Sequence, residues 1–156
     1  MSNSSEPNAK ILFRVEYEDD DDVDVETLWA FDLGDDRYRL DNLPYFAYGV
    51  SWNDIVYAPF DPEEERPTFK IVLEKSGNRT IRIIFEVPFN EDPESRALLD
   101  KLVDLGCDYE NANSKLVVIN ILGLVDLNEV AALLNETGVT WEYADPTYEE
   151  LFPDDE

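Results

Sequence analysis

The sequence predicts an α+β protein in which a small N-terminal β-barrel-like half packs on a ferredoxin-like β-α-β-β-α-β sandwich. Three observations carry this. Residues 10–18 alternate apolar and polar side chains, the period of a half-buried strand. Residues 92–138 carry two helix signatures, each with a start and a stop, and apolar strand patterns lie before, between and after them. With 44% hydrophobic residues, eight Phe, eight Tyr and three Trp in 156 residues, the chain is long and apolar enough for one domain, or for two subdomains sharing a core.

The elements follow in order. In Lys10–Glu18, Ile11, Phe13, Val15 and Tyr17 share one face of a strand. Between Glu16 and Glu26 eight of eleven residues are acidic and none is basic, so repulsion predicts a solvated loop in the middle of this run. Val25–Phe31 reads as a strand, with Gly34-Asp35-Asp36 turning into Tyr38–Leu40. Asn42–Trp52 is the most aromatic stretch, and Pro44 and Gly49 make it an irregular connection. Asp54–Ala58 reads as a short strand and Asp61–Pro67 as an acidic loop. Thr68–Lys75 and Arg79–Val87 read as a hairpin around Ser76-Gly77-Asn78 that the two halves share.

Asp92-Pro93-Glu94 starts a helix with a cap, a proline at the first position and an early acid. Leu98, Leu99, Leu102, Val103 and Leu105 form its stripe, and Gly106 its stop. Cys107–Glu110 and Leu116–Ile121 read as strands. Asp126 with Glu129 starts a second helix with Leu127, Val130, Ala131 and Leu134 buried; Gly138 ends it, and Val139–Tyr143 is the last strand. The chain thus divides into a disordered N-terminus (1–9), a β-rich subdomain (10–78), a ferredoxin-like subdomain (79–143) and an acidic C-terminal tail (144–156).

Charge bounds the function. Asp and Glu outnumber Lys and Arg 37 to 12, histidine is absent and the formal net charge is −25. Such a surplus repels nucleic acid and anionic membrane and attracts basic surfaces. Without histidine there is no imidazole base or imidazole-dependent triad, and one cysteine cannot make a zinc site or an internal disulfide. No glycine-rich phosphate loop is present. Asp20, Asp22 and Asp24 have the alternate spacing of a calcium loop, yet the sixth position lacks glycine and the twelfth lacks a bidentate Glu. No metal and no cofactor are expected. Met1–Ala9 has neither a basic start nor an apolar stretch, and no apolar run reaches the roughly 18 residues of a bilayer span. A cytoplasmic setting is expected, with Cys107 a buried apolar residue.

At Val25–Trp29, Tyr38–Val50, Ser76–Thr80 and Leu105-Gly-Cys107, the chain resembles an uncharacterised bacterial family, domain of unknown function 4265. The resemblance spans roughly residues 10–143 and implies a small cytoplasmic protein without an assigned activity. The family pattern has histidine where this chain has Asn78, which reads as a turn residue.

The function these features point to is non-enzymatic: an acidic protein that neutralises a basic partner, in its most specific form an immunity protein for a nuclease-type toxin, or a mimic of nucleic acid. The contact candidates are Asp19, Asp20, Asp21, Asp22 and Asp24; Glu63, Glu64 and Glu65; and Glu149, Glu150, Asp154 and Asp155. Ten acids and no base in residues 116–156 make the tail a second acidic surface or a solubilising terminus. Tyr45, Phe46, Tyr48 and Trp52 are a possible aromatic platform or, alternatively, core under an irregular loop. Two other readings are open: a small-ligand or regulatory module of the ferredoxin-like type, with that aromatic stretch and Arg37, Arg39, Arg79 and Arg82 around an anion, and a carboxylate site for a divalent metal. Neither nucleic acid nor membrane is an expected partner, and no oligomeric state is assigned.

Overall fold

The computed structural model describes residues 6–17 and 20–153, and for Tyr17 and residues 20–22 the backbone alone. The chain forms two compact units, Met1–Ser76 and Gly77–Glu156.

The first unit holds β1 (Ala9–Tyr17), β2 (Asp20–Gly34), β3 (Arg37–Leu40), β4 (Ile55–Tyr57), β5 (Phe60–Asp61), β6 (Arg66–Pro67) and β7 (Ile71–Glu74). Five of these make one antiparallel sheet in the order β1-β2-β3-β4-β7, while β5 and β6 pair only with each other. The alternation in β1 works as expected: Ile11, Phe13 and Val15 join Leu28, Ala30, Tyr38, Leu40, Val50 and Val56 in one core. Asp35 and Asp36 both take positive φ (58° and 60°), the geometry of the primed turn that suits the twist of a hairpin. Asn8 and Ala9 are already in place, with Asn8 N donating to Ala30 O at 3.1 Å.

Three expectations are corrected here. The middle of the acidic run is not a solvated loop from Asp20 on: Glu18 and Asp19 lie outside the described residues, but Asp20 onward belongs to β2, which pairs with β1 down to Tyr17↔Asp20, with a bulge between Glu16 and Tyr17. In a strand, same-face neighbours lie about 7 Å apart, where two like charges in water repel by only about 0.6 kcal/mol. A continued backbone ladder outweighs that. Second, the barrel is absent, because the sheet stays open. Thr68 bridges Leu12 of β1 and Phe69 N donates to Leu12 O at 2.9 Å, but no ladder follows. Pro59, Pro62 and Pro67 deprive this segment of donors, which suits short edge contacts only.

Third, β7 and the next strand, β8 (Arg79–Ile84), do not pair as a hairpin; β7 joins β4, and β8 lies in the other unit's sheet. The reason is occupancy. β8 has a neighbour on each side, β10 (Leu116–Ile121) and β11 (Thr140–Asp145), so it offers no free edge. The connection passes through Gly77 at φ +97°, a region that glycine enters without strain.

The second unit adds α1 (Pro93–Leu105), β9 (Cys107–Asn111), α2 (Leu127–Thr137) and α3 (Tyr148–Leu151). Its four-stranded antiparallel sheet has the order β11-β8-β10-β9. Asp92 caps α1, accepting from Glu94 N at 3.2 Å and from Ser95 Oγ at 2.8 Å, and Gly106 ends it at φ +108°. Asp126 caps α2 through Asn128 N at 2.9 Å. Ile81, Ile83 and Phe85 of the sheet region meet Leu98, Leu99, Leu102, Val130 and Leu134 of the helices in a single core. The tail does not begin at residue 144 as a separate element. β11 runs to Asp145, and α3 is closed by a capping box in which Glu150 Oε1 accepts from Thr147 N at 3.0 Å.

Cys107 is buried in this core, and burial, reinforced by Asp108 and partly offset by Arg79, raises its thiol from 9.0 to about 11. The fold therefore favours the neutral thiol. Its contribution to stability is full below pH 9 and is lost as pH rises toward about 11, because the unfolded chain ionises first. Denaturant titrations from pH 8 to 11 are expected to show this alkaline loss, and a thiol reagent at neutral pH is expected to react only after unfolding; rapid labelling of the folded chain would contradict it.

Candidate protein-binding surfaces

In the first unit the structure brings two of the predicted acidic groups to the same end of the sheet. Asp24 sits in β2 opposite Val15, and Val25 is opposite Arg14. Arg14 Nη1 in turn donates to Glu64 Oε1 at 3.1 Å. That ion pair ties the turn carrying Glu63, Glu64 and Glu65 to a strand position next to the one opposite Asp24, although Asp24, opposite core-facing Val15, lies on the other face of the sheet from Arg14. The turn is fixed further by Asp61, whose Oδ1 accepts from Glu63 N at 2.9 Å, and by Glu65 at φ +58°. Asp20, Asp21 and Asp22 have their backbone in β2, while Asp19 lies outside the described residues, as do Asp154 and Asp155.

In the second unit Glu149 is exposed, but Glu150 is occupied in the α3 capping box. Around it the Tyr148 and Phe152 rings meet at 4.9 Å, tilted by 41°, and both reach Tyr143, at 6.3 and 6.2 Å. Tyr148 and Phe152 of the tail thus pack against a ring of their own unit.

The aromatic stretch is neither one platform nor all core. Leu43, Pro44, Ala47 and Val50 are buried and Tyr45 and Trp52 half-buried, while Phe46 and Tyr48 are exposed. Two carboxylates that the sequence did not single out hold this loop. Glu26, on the face of β2 that carries Leu28, accepts from Tyr45 N (2.9 Å), Phe46 N (2.9 Å) and Ala47 N (2.7 Å). Asp54, fully buried, accepts from Ser51 N (2.8 Å), Ser76 N (2.8 Å) and Lys75 Nζ (2.6 Å). Glu26→Ala should cost about 1–3 kcal/mol for the amides it strands, and hydrogen exchange at residues 45–47 should accelerate. Unchanged exchange there would show that the loop is held by something else.

Of the four arginines proposed around an anion, three are committed: Arg37 donates to Gly34 O and Leu33 O, and the other two lie in the second unit. Arg79 Nη2 donates to Leu122 O at 2.7 Å and to Val125 O, and buried Arg82 donates from Nε to Glu142 Oε2 at 2.9 Å. A cleft of about 610 Å³ lies between β8, the start of α1 and the end of α2, lined by Phe85, Leu98 and Val139, by the acids Glu86, Asp92, Glu94 and Glu136, and by Lys101. Among the described residues no group of three potential metal ligands converges, and no helix is long and apolar enough to cross a membrane.

The family model for a domain of unknown function, DUF4265, matches residues 26–143. The chain belongs to the DUF4265 family. Comparison of this DUF4265 chain with curated proteins finds no match. Among solved structures, a hypothetical protein from Neisseria gonorrhoeae is similar over 90% of this chain and 96% of that one, with a TM-score of 0.77 at 17% identity. At that identity the likeness shows a shared α+β fold alone.

Proposed function

We propose that this DUF4265 chain is a non-enzymatic acidic binding protein that neutralises a basic protein partner, in its most specific form an immunity protein for a nuclease-type toxin or a mimic of nucleic acid. One observation supports this most: the acidic run from Asp20 is part of a β-ladder rather than a loop, with the Glu63–Glu65 turn tied beside it through Arg14. A fixed backbone lowers the ordering cost of binding, and clustered negative charge speeds encounter with a basic cleft. In the same reading the second unit, with strand order β11-β8-β10-β9, is a ferredoxin-like scaffold and the protein works in the cytoplasm. The test is retention on the immobilised chain at low salt. A basic protein is expected to bind and to elute as salt rises; recovery of neutral proteins alone would overturn the proposal.

A second reading is favoured by the cleft of the second unit, where four acids outnumber the one base, Lys101, a balance that suits a small cationic ligand with an apolar part. A thermal-shift screen of amines is its test, and the absence of any stabilising compound would remove it.

A further inference from the structure

We infer that the outward face of the five-stranded sheet in the first unit is a second docking surface, and that it takes an extended acidic segment of a partner protein carrying apolar side chains. Cross-strand register assembles it. Lys10 lies opposite Trp29, Arg39 opposite both Phe31 and Ile55, and Tyr57 opposite both Arg37 and Ile71. The face opposite the core therefore collects bases and rings from five strands. It stays open: Trp29 is 42% exposed, Tyr57 37% and Ile71 55%. Large apolar side chains that persist in contiguous exposure mark interaction sites.

The charge of this face identifies its occupant. In a chain with 37 acids and 12 bases, Lys10 and Arg39 have no carboxylate partner among the described residues. Each rests on a ring instead, Lys10 Nζ at 4.6 Å from the Trp29 centroid and the Arg39 guanidinium at 4.8 Å from Phe31. Stacked cations keep their N–H groups for carboxylates, which Arg grips in bidentate fashion. Arg37 is held still by donating to Gly34 O (3.2 Å) and Leu33 O (3.1 Å).

A single strand of nucleic acid has rings to stack and phosphates to pair, but its charge density meets the field of a chain carrying −25. A second copy placed face to face would set Arg37 and Arg39 against themselves. A peptide with a few carboxylates between apolar residues meets the first penalty only in small measure, because it carries far fewer charges than a polyphosphate, and does not meet the second. It fills the spaces between Trp29, Tyr57 and Ile71 while its carboxylates reach Lys10 and Arg39.

The test is selection from a phage-displayed random peptide library on the full chain, followed by anisotropy titration of the enriched peptides. Expected are peptides combining Asp or Glu with aromatic or aliphatic residues. Their affinity should fall about tenfold for Arg39→Ala, the loss of one charge-assisted hydrogen bond, and further for K10E/R39E, with circular dichroism unchanged. Trp29→Ala is the second variant and should weaken the same peptides. Enrichment of basic peptides only, no enrichment, indifference to these variants, preferential binding of an oligo-dT probe, or self-association blocked by K10E/R39E would each overturn the inference.

Discussion

Replacing Asp54 with alanine is expected to cost the first unit about 2–4 kcal/mol, because backbone N–H groups lose a charged acceptor while Lys75, 45% exposed, keeps its access to water. The carboxylate is fully buried and holds two backbone N–H groups, of Ser51 and Ser76, together with the Lys75 ammonium. Ser51 is itself buried, so its amide cannot turn to water when the acceptor goes. Asp54→Asn keeps the shape and should cost less, about 1–2 kcal/mol, because one amide oxygen still accepts while the Lys75 ammonium turns to water. Denaturant unfolding monitored by circular dichroism, with hydrogen exchange at Ser51 and Ser76, reads both. A loss under about 1 kcal/mol for Asp54→Ala would mean that the loop is carried by its apolar residues alone.

The second large effect concerns binding. Changing Asp20, Asp21, Asp22 and Asp24 to asparagine removes four negative charges and leaves the β1–β2 backbone ladder in place. Folding stability should hold or rise slightly, since self-repulsion falls. Association with a basic partner should slow by about 10- to 100-fold at low salt, and its salt dependence should flatten. Stopped-flow association over a salt series measures this. An unchanged rate with an unchanged salt slope would place the steering charge elsewhere on the chain.

Local signals were readable where one residue decides one feature. The caps Asp92 and Asp126, the stops Gly106 and Gly138, and the alternation of Ile81 and Ile83 all sit where the sequence puts them. Signals that compete were not. In residues 16–26 charge argued for a loop, while an already established β1 offered a ladder; only the pairing partner decides between them. The hairpin around Gly77 looked valid locally and failed because β8 is flanked on both sides by strands that come later in the chain. The candidate surface was partly legible for the same reason. Acidic runs are visible as composition, whereas the roles of Glu26 and Asp54 are largely tertiary: apart from Ser51, three residues from Asp54, their amide donors lie 19–22 residues away in sequence. The pairing of Lys10 with Trp29 and of Arg39 with Phe31 needs the register of the sheet.

The central claim is that the acidic ladder and the neighbouring Glu63–Glu65 turn form the surface that meets a basic protein. Amide hydrogen exchange on the full chain, alone and saturated with the basic protein recovered at low salt, tests it most directly. Slower exchange confined to residues 20–24 and 63–65 and their immediate neighbours is the expected result. Unchanged exchange at those residues, with protection gained only at other parts of the chain, would contradict it.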